Sequence, residues 1–363
     1  MDDQGTTLTA LAMAASVGTP VLLWGPPGTG KTSAVRALAE AAGWPCEVVI
    51  ASIREPSDFA GLPVVSGGAV EFAPPRWATR LPRQGRSVVF FDEISTAPPA
   101  VQAALLRVVL ERVVGDLSLP GEVSVLAAAN PPEQAADGWD LSAPLANRFC
   151  HLDWAFEPRA VIDGFIGGWP AAMPPPLGDD WESGVAAARG WIAGFLAVRP
   201  ALTLAVPDDL AAAGKAWPSP RSWDMAARLL AAARSAAASP AVESALVRGC
   251  VGTGAGIEFL TWLIEADLPD PEAVLADPGS FVLPTRGDRA YAALASIAAA
   301  VAARPDDGRW ERGWQVLGRA AATAPDVAAV AARTLARARP AGVTLPPEIE
   351  LFLPLLRDAD LLR

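Results

Sequence analysis

Along the first 155 or so residues, short apolar runs alternate with stretches of helical periodicity. This alternation is typical of α/β proteins, in which helices connect parallel strands. The apolar runs predict strands at residues 21–24, 47–51, 87–91, 123–129 and 149–153. The helical periodicity predicts helices over residues 32–42 and 98–112. We therefore expect an α/β fold built on a parallel five-stranded sheet.

Two segments of this part do not fit a simple strand–helix unit. In the first, at about residues 57–85, Gly67-Gly68 separates two apolar stretches. In the second, at about residues 112–120, Gly115-Asp116 does the same. Glycine readily adopts the positive φ angles of tight turns, so both segments are predicted to contain a β-hairpin. The alternative for both is an ordinary surface loop.

After residue 156 the strand pattern fades and alanine-rich helical patterns dominate. A proline-rich stretch at residues 170–178 indicates a linker or a long loop. The predicted organisation is an α/β core over residues 1–156 that carries both hairpin inserts, an all-α lid over residues 157–252, and a C-terminal helical extension over residues 253–363.

The composition limits the chemistry that the chain can perform. It has three cysteines, too few for a disulfide framework, and they lack metal-ligand spacing. The single histidine, His151, does not support a histidine-rich metal site or a Ser-His-Asp or Cys-His catalytic system. Catalysis is therefore expected to use carboxylates, arginines, backbone amides and a bound cation.

The charge of the chain bears on its partners and its compartment. The 40 acidic and 29 basic residues give a net charge of −11, which argues against a broad nucleic-acid or anionic-membrane surface, although a local basic pore is compatible with it. The longest apolar stretch, residues 290–303, is too short to span a bilayer. The N-terminus, Met1-Asp2-Asp3, is acidic where a signal peptide would be positive. We expect a cytoplasmic protein without a membrane partner.

Residues 25–32 match the pattern G-x-x-x-x-G-K-[ST] between a predicted strand and a predicted helix. Glycines let backbone N–H groups turn toward a phosphate, and the N-terminus of the following helix adds its positive dipole end. Lys31 is expected to neutralise β- and γ-phosphate oxygens, and Thr32 to hold Mg²⁺. A chance glycine-rich turn is the alternative, but Lys31 is one of only two lysines and falls in the required position. The predicted nucleotide-binding residues are Gly25, Pro26, Pro27, Gly28, Thr29, Gly30, Lys31, Thr32 and Ser33.

A second motif, Asp92-Glu93, ends the apolar run of residues 87–91 about sixty residues after this phosphate loop. A buried strand would deliver Asp92 to the edge of the sheet beside the loop, where it can hold Mg²⁺ directly or through water. Glu93 would then polarise the attacking water. The alternative is a solvated strand end, because acidic pairs are common.

With these motifs the chain resembles an AAA+ ATPase, and within that superfamily it resembles the MoxR group. The phosphate loop, the Asp-Glu strand and the two hairpins fall in the order of that group. Two further phrases of the sequence match as well, Asp58-Phe59-Ala60-Gly61 and Ala128-Ala129-Asn130-Pro131-Pro132. The resemblance covers roughly residues 18–230 and implies a P-loop NTPase core followed by a helical lid.

The resemblance also implies roles for three polar residues outside the phosphate loop. Asn130 matches the sensor-1 residue, which contacts the water or the γ-phosphate. Arg148 resembles the arginine finger that reaches a neighbouring subunit, although the family usually has aspartate where this chain has Asn147. Arg107 and Arg112 are further finger candidates. Arg221 resembles the sensor-2 arginine, which contacts nucleotide either in its own subunit or in a neighbour's, and the sequence leaves both alternatives open. The predicted catalytic set consists of Lys31, Glu93, Asn130, Arg148 and Arg221.

The leading hypothesis is an ATPase that uses ATP and Mg²⁺, assembles into a ring, expected to be a hexamer, and remodels a protein partner. What the MoxR resemblance adds is a chaperone-like role and a partner that bears a von Willebrand factor A domain. Two alternatives remain at this point. One is a nucleic-acid motor with pore-facing arginines such as Arg76, Arg80 or Arg112, and the other is a nucleotide-gated scaffold with little hydrolysis.

Overall fold

The computed structural model describes residues 3–131, 139–168, 172–178, 181–359 and 361. Several residues named above lie outside these described residues, namely Met1, Asp2, Pro132 and residues 170–171. The remainder of the proline-rich stretch, residues 172–178, forms neither helix nor strand.

The strands of the described residues form one large sheet and two small ones. They are β1 (Val21–Trp24), β2 (Cys46–Ile50), β3 (Leu62–Ser66), β4 (Ala69–Ala73), β5 (Ser87–Asp92), β6 (Val113–Val114), β7 (Leu117–Ser118), β8 (Val123–Ala129) and β9 (Cys150–Asp153). The large sheet has the order β2-β5-β8-β1-β9, and each of its neighbouring strands pairs in parallel. The predicted parallel five-stranded sheet is confirmed.

Helices connect and cover these strands. Those of the N-terminal half are α1 (Gln4–Ser16), α2 (Lys31–Ala41), α3 (Ser57–Ala60), α4 (Arg76–Arg80), α5 (Pro99–Glu111), α6 (Ala143–Ala146) and α7 (Pro158–Gly167). α1 packs against β8 and β9, and α2 packs against β2 and β5. β1 and β8 are buried at every position, which explains why both are apolar apart from Ser124 in β8.

Both predicted hairpins are present. β3 pairs antiparallel with β4, and β6 pairs antiparallel with β7. The carboxylate of Asp116, in the turn of the second hairpin, accepts the N–H of Phe72 at 2.6 Å, so the two hairpins are hydrogen-bonded to each other. Arg112, where the second hairpin begins, donates to the carbonyls of Val123 and Gly18. Its guanidinium is therefore engaged within the fold.

The remaining helices belong to the C-terminal half. They are α8 (Trp181–Val198), α9 (Leu210–Ala213), α10 (Pro220–Ser235), α11 (Pro240–Val251), α12 (Thr253–Ala266), α13 (Pro271–Ala276), α14 (Gly287–Ala303), α15 (Asp307–Ala321), α16 (Pro325–Arg337) and α17 (Leu353–Asp358). The helical C-terminal part that the sequence predicts is thus confirmed. None of the helices in the described ranges is long and apolar enough to cross a membrane.

By packing, the chain divides into two compact units. The first comprises Met1–Pro176, Leu204–Leu229 and Ala236–Gly256, and the second comprises Leu177–Thr203, Leu230–Ser235 and Ile257–Arg363. The first contains the sheet, and the second is built around α8 and α14. A Cβ atom at Gly190 of α8 would lie 2.5 Å from the Cα of Ser296 in α14, so glycine allows these two helices to approach closely. The predicted division into core, lid and extension stays a prediction.

Candidate functional site

The phosphate loop, residues 25–32, leads from the end of β1 into the first turn of α2. Gly28 and Gly30 have φ angles of 74° and 91°, which side chains other than glycine rarely adopt. A Cβ atom at either position would meet nothing within 4 Å, so the loop is open on that side. Gly30 precedes α2 and supplies no side-chain cap, which leaves the N–H groups of the first helical turn available to an anion.

Lys31, the first residue of α2, is buried in this loop. Its Nζ donates to the carbonyls of Gly25 and Pro26 at 2.6 and 2.8 Å and to Oδ1 of Asn130 at 3.1 Å. Burial lowers the pKa of Lys31, and the charges of Asp92 and Glu93 oppose that shift. Since none of the three acceptors is a carboxylate, the positive charge of Lys31 has no direct counter-ion in the loop.

Thr32 and Asp92 form a pair of oxygen donors beside the loop. The Oγ1 of Thr32 donates to Oδ2 of Asp92 at 2.6 Å. A hydroxyl and a carboxylate are the hard oxygen ligands that Mg²⁺ prefers, and Mg²⁺ sites commonly use one or two such groups together with phosphate oxygens and water. The chemistry of this donor set therefore fits Mg²⁺.

Glu93 follows Asp92 with a φ of 57°, a left-handed conformation that is uncommon for residues other than glycine. Its Oε2 accepts a hydrogen bond from Oγ of Ser52 at 2.5 Å. The sequence pattern does not single out Ser52. The feature that places Ser52 near Glu93 is the pairing of β2 with β5. Ile50 lies opposite Asp92, so the residues that follow each strand meet at the same edge of the sheet.

Two side chains hold the phosphate loop and Asn130 in place. Nε1 of Trp154 donates to the carbonyl of Thr29 at 3.0 Å, and a Cβ at Gly25 would lie 2.7 Å from the carbonyl oxygen of Trp154. Asn130, directly after β8, exchanges backbone hydrogen bonds with the hydroxyl of Ser95. Neither Trp154 nor Ser95 belongs to a motif, and only the folded sheet brings them to the loop.

Arg148 and Arg221 form a second cluster, which we call the arginine pair. Arg148 donates through Nη1 to the carbonyl of Pro144 in α6, while its Nε is buried and has no partner among the described residues. Arg221, near the start of α10, is exposed. Burial and the positive charge of Arg221 both lower the pKa of Arg148. Because two neighbouring positive charges repel each other, the arginine pair would be stabilised by binding an anion from outside the chain.

Asn147, where the MoxR resemblance implies an aspartate, is buried. Its Nδ2 donates to the carbonyl of Trp217 at 3.1 Å, and its Oδ1 accepts from the hydroxyl of Ser219 at 2.6 Å. An aspartate could accept from Ser219 but could not donate to Trp217 at neutral pH. Asn147 thus connects the segment of Arg148 to that of Arg221.

The structure brings the predicted residues together as two groups. Direct hydrogen bonds connect Lys31 to Asn130 and Thr32 to Asp92 at the sheet edge, with Glu93 adjacent, while the arginine pair forms the other group. Among the described residues, no hydrogen bond joins the arginine pair to the phosphate loop. Pro27, Gly28, Gly30 and Ser33 are exposed in or directly after the loop.

A phosphate loop between β1 and α2, with an Asp-Glu pair ending a strand of the same parallel sheet, defines a P-loop NTPase core. Residues 20–149 match the model of the AAA domain, dynein-related subfamily. The chain therefore carries an AAA+ core, a class of domain that generally binds nucleotide and hydrolyses ATP.

Two solved structures are similar to this chain. One is a proposed ATPase from Cytophaga hutchinsonii, at 18% sequence identity over 69% of this chain and 82% of that chain, with a TM-score of 0.44. The other is a full-length MCM homolog from Methanopyrus kandleri, at 19% identity over 68% of this chain and 55% of that chain, with a TM-score of 0.40. At this level of similarity, the two structures do not indicate what this chain acts on or binds.

Proposed function

We propose that this protein is a MoxR-like AAA+ ATPase, which hydrolyses ATP where subunits of a ring meet and uses the energy to remodel a protein partner. The observation that carries this proposal is the set of hydrogen bonds that joins Lys31 to Asn130 and Thr32 to Asp92 at one edge of the sheet. All four side chains have the chemistry that phosphoryl transfer requires.

Within this pocket each residue has a distinct task. Lys31 would exchange its carbonyl partners for the β- and γ-phosphate oxygens of ATP. Thr32 and Asp92 would hold Mg²⁺, which neutralises phosphate charge when bound. Glu93 would orient the attacking water and accept its proton, and Asn130 would contact the water or the γ-phosphate. Glu93 would first have to release the hydroxyl of Ser52.

The arginine pair supports hydrolysis at subunit interfaces. Arg148 and Arg221 have no carboxylate partner among the described residues, and neither contacts the phosphate loop of its own subunit by a hydrogen bond. We assign both to the γ-phosphate of a neighbouring subunit in a homo-oligomeric ring, expected to be a hexamer. An arginine finger contributes about 10³–10⁵ in rate, so assembly would be a condition for turnover.

The partner proposal depends on the MoxR resemblance. We infer a chaperone-like role toward a protein with a von Willebrand factor A domain. The alternative of a nucleic-acid motor is weakened by the net charge of −11 and by the engagement of Arg112 within the fold. The scaffold alternative is weakened by the presence of Lys31, Asp92 and Glu93 together.

The test is ATP turnover per subunit as a function of protein concentration with Mg²⁺, alongside the mass of the assembly at each concentration. A specific rate that rises as rings form supports a site completed by a neighbour. Glu93→Gln should bind ATP but lose nearly all turnover. A wild-type protein that binds ATP without turnover, alone or with a partner protein, would favour the scaffold, and turnover stimulated by DNA with steep salt dependence would favour the nucleic-acid motor.

A further inference from the structure

The only histidine of the chain joins the phosphate-loop strand to the segment of Arg148. His151 lies in β9, directly opposite Leu22 of β1. Its Nδ1 accepts from Nε1 of Trp24 at 2.8 Å, and its Nε2 lies 2.9 Å from the carbonyl oxygen of Ala146. We call this connection from Trp24 through His151 to Ala146 the histidine bridge.

The partners of the histidine bridge fix its protonation state. The indole N–H of Trp24 is a donor only, so Nδ1 of His151 has to be unprotonated to accept it. The proton of the neutral ring then lies on Nε2 and is donated to the carbonyl of Ala146. The surrounding protein and the charge of Lys215 lower the pKa of His151 to about 4, against the opposing effect of the Ala146 bond. The ring is therefore neutral at physiological pH, as the bridge requires.

One end of the histidine bridge lies at the phosphate loop. Trp24 is the residue before Gly25, whose carbonyl accepts the ammonium of Lys31 at 2.6 Å. The Nζ of Lys215 lies 3.4 Å from the centre of the Trp24 ring, which is a cation–π contact. The carbonyl of Trp24 also accepts a hydrogen bond from the backbone N–H of Trp154 at 2.6 Å. Trp24 is thus held on several sides beside the loop.

The other end of the histidine bridge lies at α6, four residues that directly precede the Asn147-Arg148 dipeptide. Ala146 is the last residue of α6, and Pro144 within it accepts the guanidinium of Arg148. A hydrogen bond to the final carbonyl of so short a helix restrains the point from which the Arg148 side chain departs. A change at Trp24 can reach Arg148 through this one imidazole.

From this geometry we infer that His151 is a positioning residue for Arg148: it aligns the arginine with the neighbouring subunit's nucleotide and ties that alignment to the phosphate loop of its own subunit. The inference rests on the proposed function, because it needs Arg148 to act on a neighbour. His151 touches no reacting atom in this scheme. Its contribution is the placement of α6, and misplacement of a group by even about 1 Å can cost as much as 10²-fold in rate.

The test compares His151→Leu, which removes both hydrogen bonds, with His151→Gln, whose amide can accept from Trp24 and donate to Ala146. Cys150→Ala is the matched control, since Cys150 is the preceding residue of β9 and contacts Leu246 instead. We expect His151→Leu to lower kcat by about tenfold or more with the KM for ATP unchanged. His151→Gln should recover most of the rate, and Cys150→Ala should stay within about twofold of wild type.

Mixed rings identify the residue through which His151 acts. Lys31→Ala subunits have no working pocket but carry an intact Arg148, so adding them to His151→Leu subunits should restore turnover. The inference would be overturned if Lys31→Ala subunits restored turnover to Arg148→Ala subunits but not to His151→Leu subunits. The defect of His151→Leu would then lie in the pocket of its own subunit. A raised KM in His151→Leu would overturn it as well.

Failure of the inference is distinguishable from failure of the proposed function. If wild-type turnover is abolished by Glu93→Gln and by Arg148→Ala but is unaffected by His151→Leu, the function stands and the positioning role is wrong. If the wild-type protein shows no turnover under any condition, the proposed function itself is wrong. Trp24→Phe, which removes the indole donor and keeps an aromatic ring, gives a second variant should His151→Leu not fold.

Discussion

The phosphate-loop edge of the sheet and the arginine pair are organised in opposite ways. At the sheet edge, polar side chains are hydrogen-bonded to one another, as Thr32 is to Asp92 and Lys31 is to Asn130. In the arginine pair, the Nε of Arg148 is buried without a partner, and the Arg221 side chain forms no hydrogen bond or ion pair with the described residues. The first region is ordered by contacts among its own side chains, whereas the second holds two positive charges without a carboxylate partner among the described residues.

The largest expected effect removes that unpaired charge. Arg148→Ala should reduce ATP turnover by about 10³-fold, because the finger would no longer stabilise charge on the transferred phosphoryl group. The affinity of the dilute protein for a fluorescent ATP analogue should not change. Arg159→Ala is the control, since Arg159 is an exposed arginine that lies 3.9 Å from the carboxylate of Asp163, and such surface pairs contribute little.

The same experiment also tests whether the sheet edge and the arginine pair are separate sites. A loss of nucleotide affinity of about tenfold or more in dilute Arg148→Ala, equivalent to about 1.4 kcal/mol, would place Arg148 in the pocket of its own subunit. The arginine pair and the sheet edge would then be one site.

The pH dependence of stability tests the histidine bridge that lies between the two regions. The pKa of His151 is about 4 in the folded protein, against an ordinary value of 6.5, so the unfolded chain binds more protons between these values. The neutral His151 ring therefore makes its full contribution to the free energy of unfolding above about pH 6.5. That contribution falls as the pH drops toward 4, by up to about 3 kcal/mol.

The measurement is the free energy of unfolding in urea, for the wild type and for His151→Gln, at several values between pH 7 and pH 4. Carboxylates titrate equally in both proteins, so the difference between the two curves isolates the only histidine of the chain. Parallel curves over the whole range would contradict the low pKa and the neutral bridge.

Asn147→Asp tests whether the side-chain amide of Asn147 is needed to connect the segments that carry Arg148 and Arg221. The introduced carboxylate would be buried and would lose the donor to the carbonyl of Trp217, so we expect the free energy of unfolding to fall by about 2 kcal/mol at pH 7. Protonation would restore a donor, and the loss relative to wild type should therefore shrink at pH 4.5. Equal stability of the two proteins at pH 7 would show that the Trp217 bond is dispensable.

The parts of the fold that depend on local pattern were predictable from the sequence. The strands at residues 21–24 and 123–129 agree with β1 and β8 because both are apolar runs, interrupted only by Ser124 in β8. Glycine turns likewise indicated the two hairpins, and the phosphate loop follows from eight consecutive residues. In each case the information lies within one short segment.

Contacts between distant segments could not be predicted in this way. Ser52 and Glu93 are 41 residues apart, and Asn147 and Ser219 are 72 apart. Their meeting depends on the strand order and on where α10 begins, and neither is set by periodicity. An asparagine at position 147, where the resemblance implied an aspartate, therefore gained a physical reason only when Trp217 and Ser219 were found beside it.

The smallest expected effect concerns Ser52. Its hydroxyl donates to Oε2 of Glu93 at 2.5 Å, and this hydrogen bond occupies one of the lone pairs of the carboxylate. Ser52→Ala should free Glu93 for the attacking water and raise basal turnover by about threefold, which corresponds to less than about 1 kcal/mol. Ser52→Thr, which keeps the hydroxyl, is the matched control and should stay near the wild-type rate. A fall in turnover in Ser52→Ala alone would contradict this expectation and would mean that the hydroxyl of Ser52 orients Glu93 for catalysis.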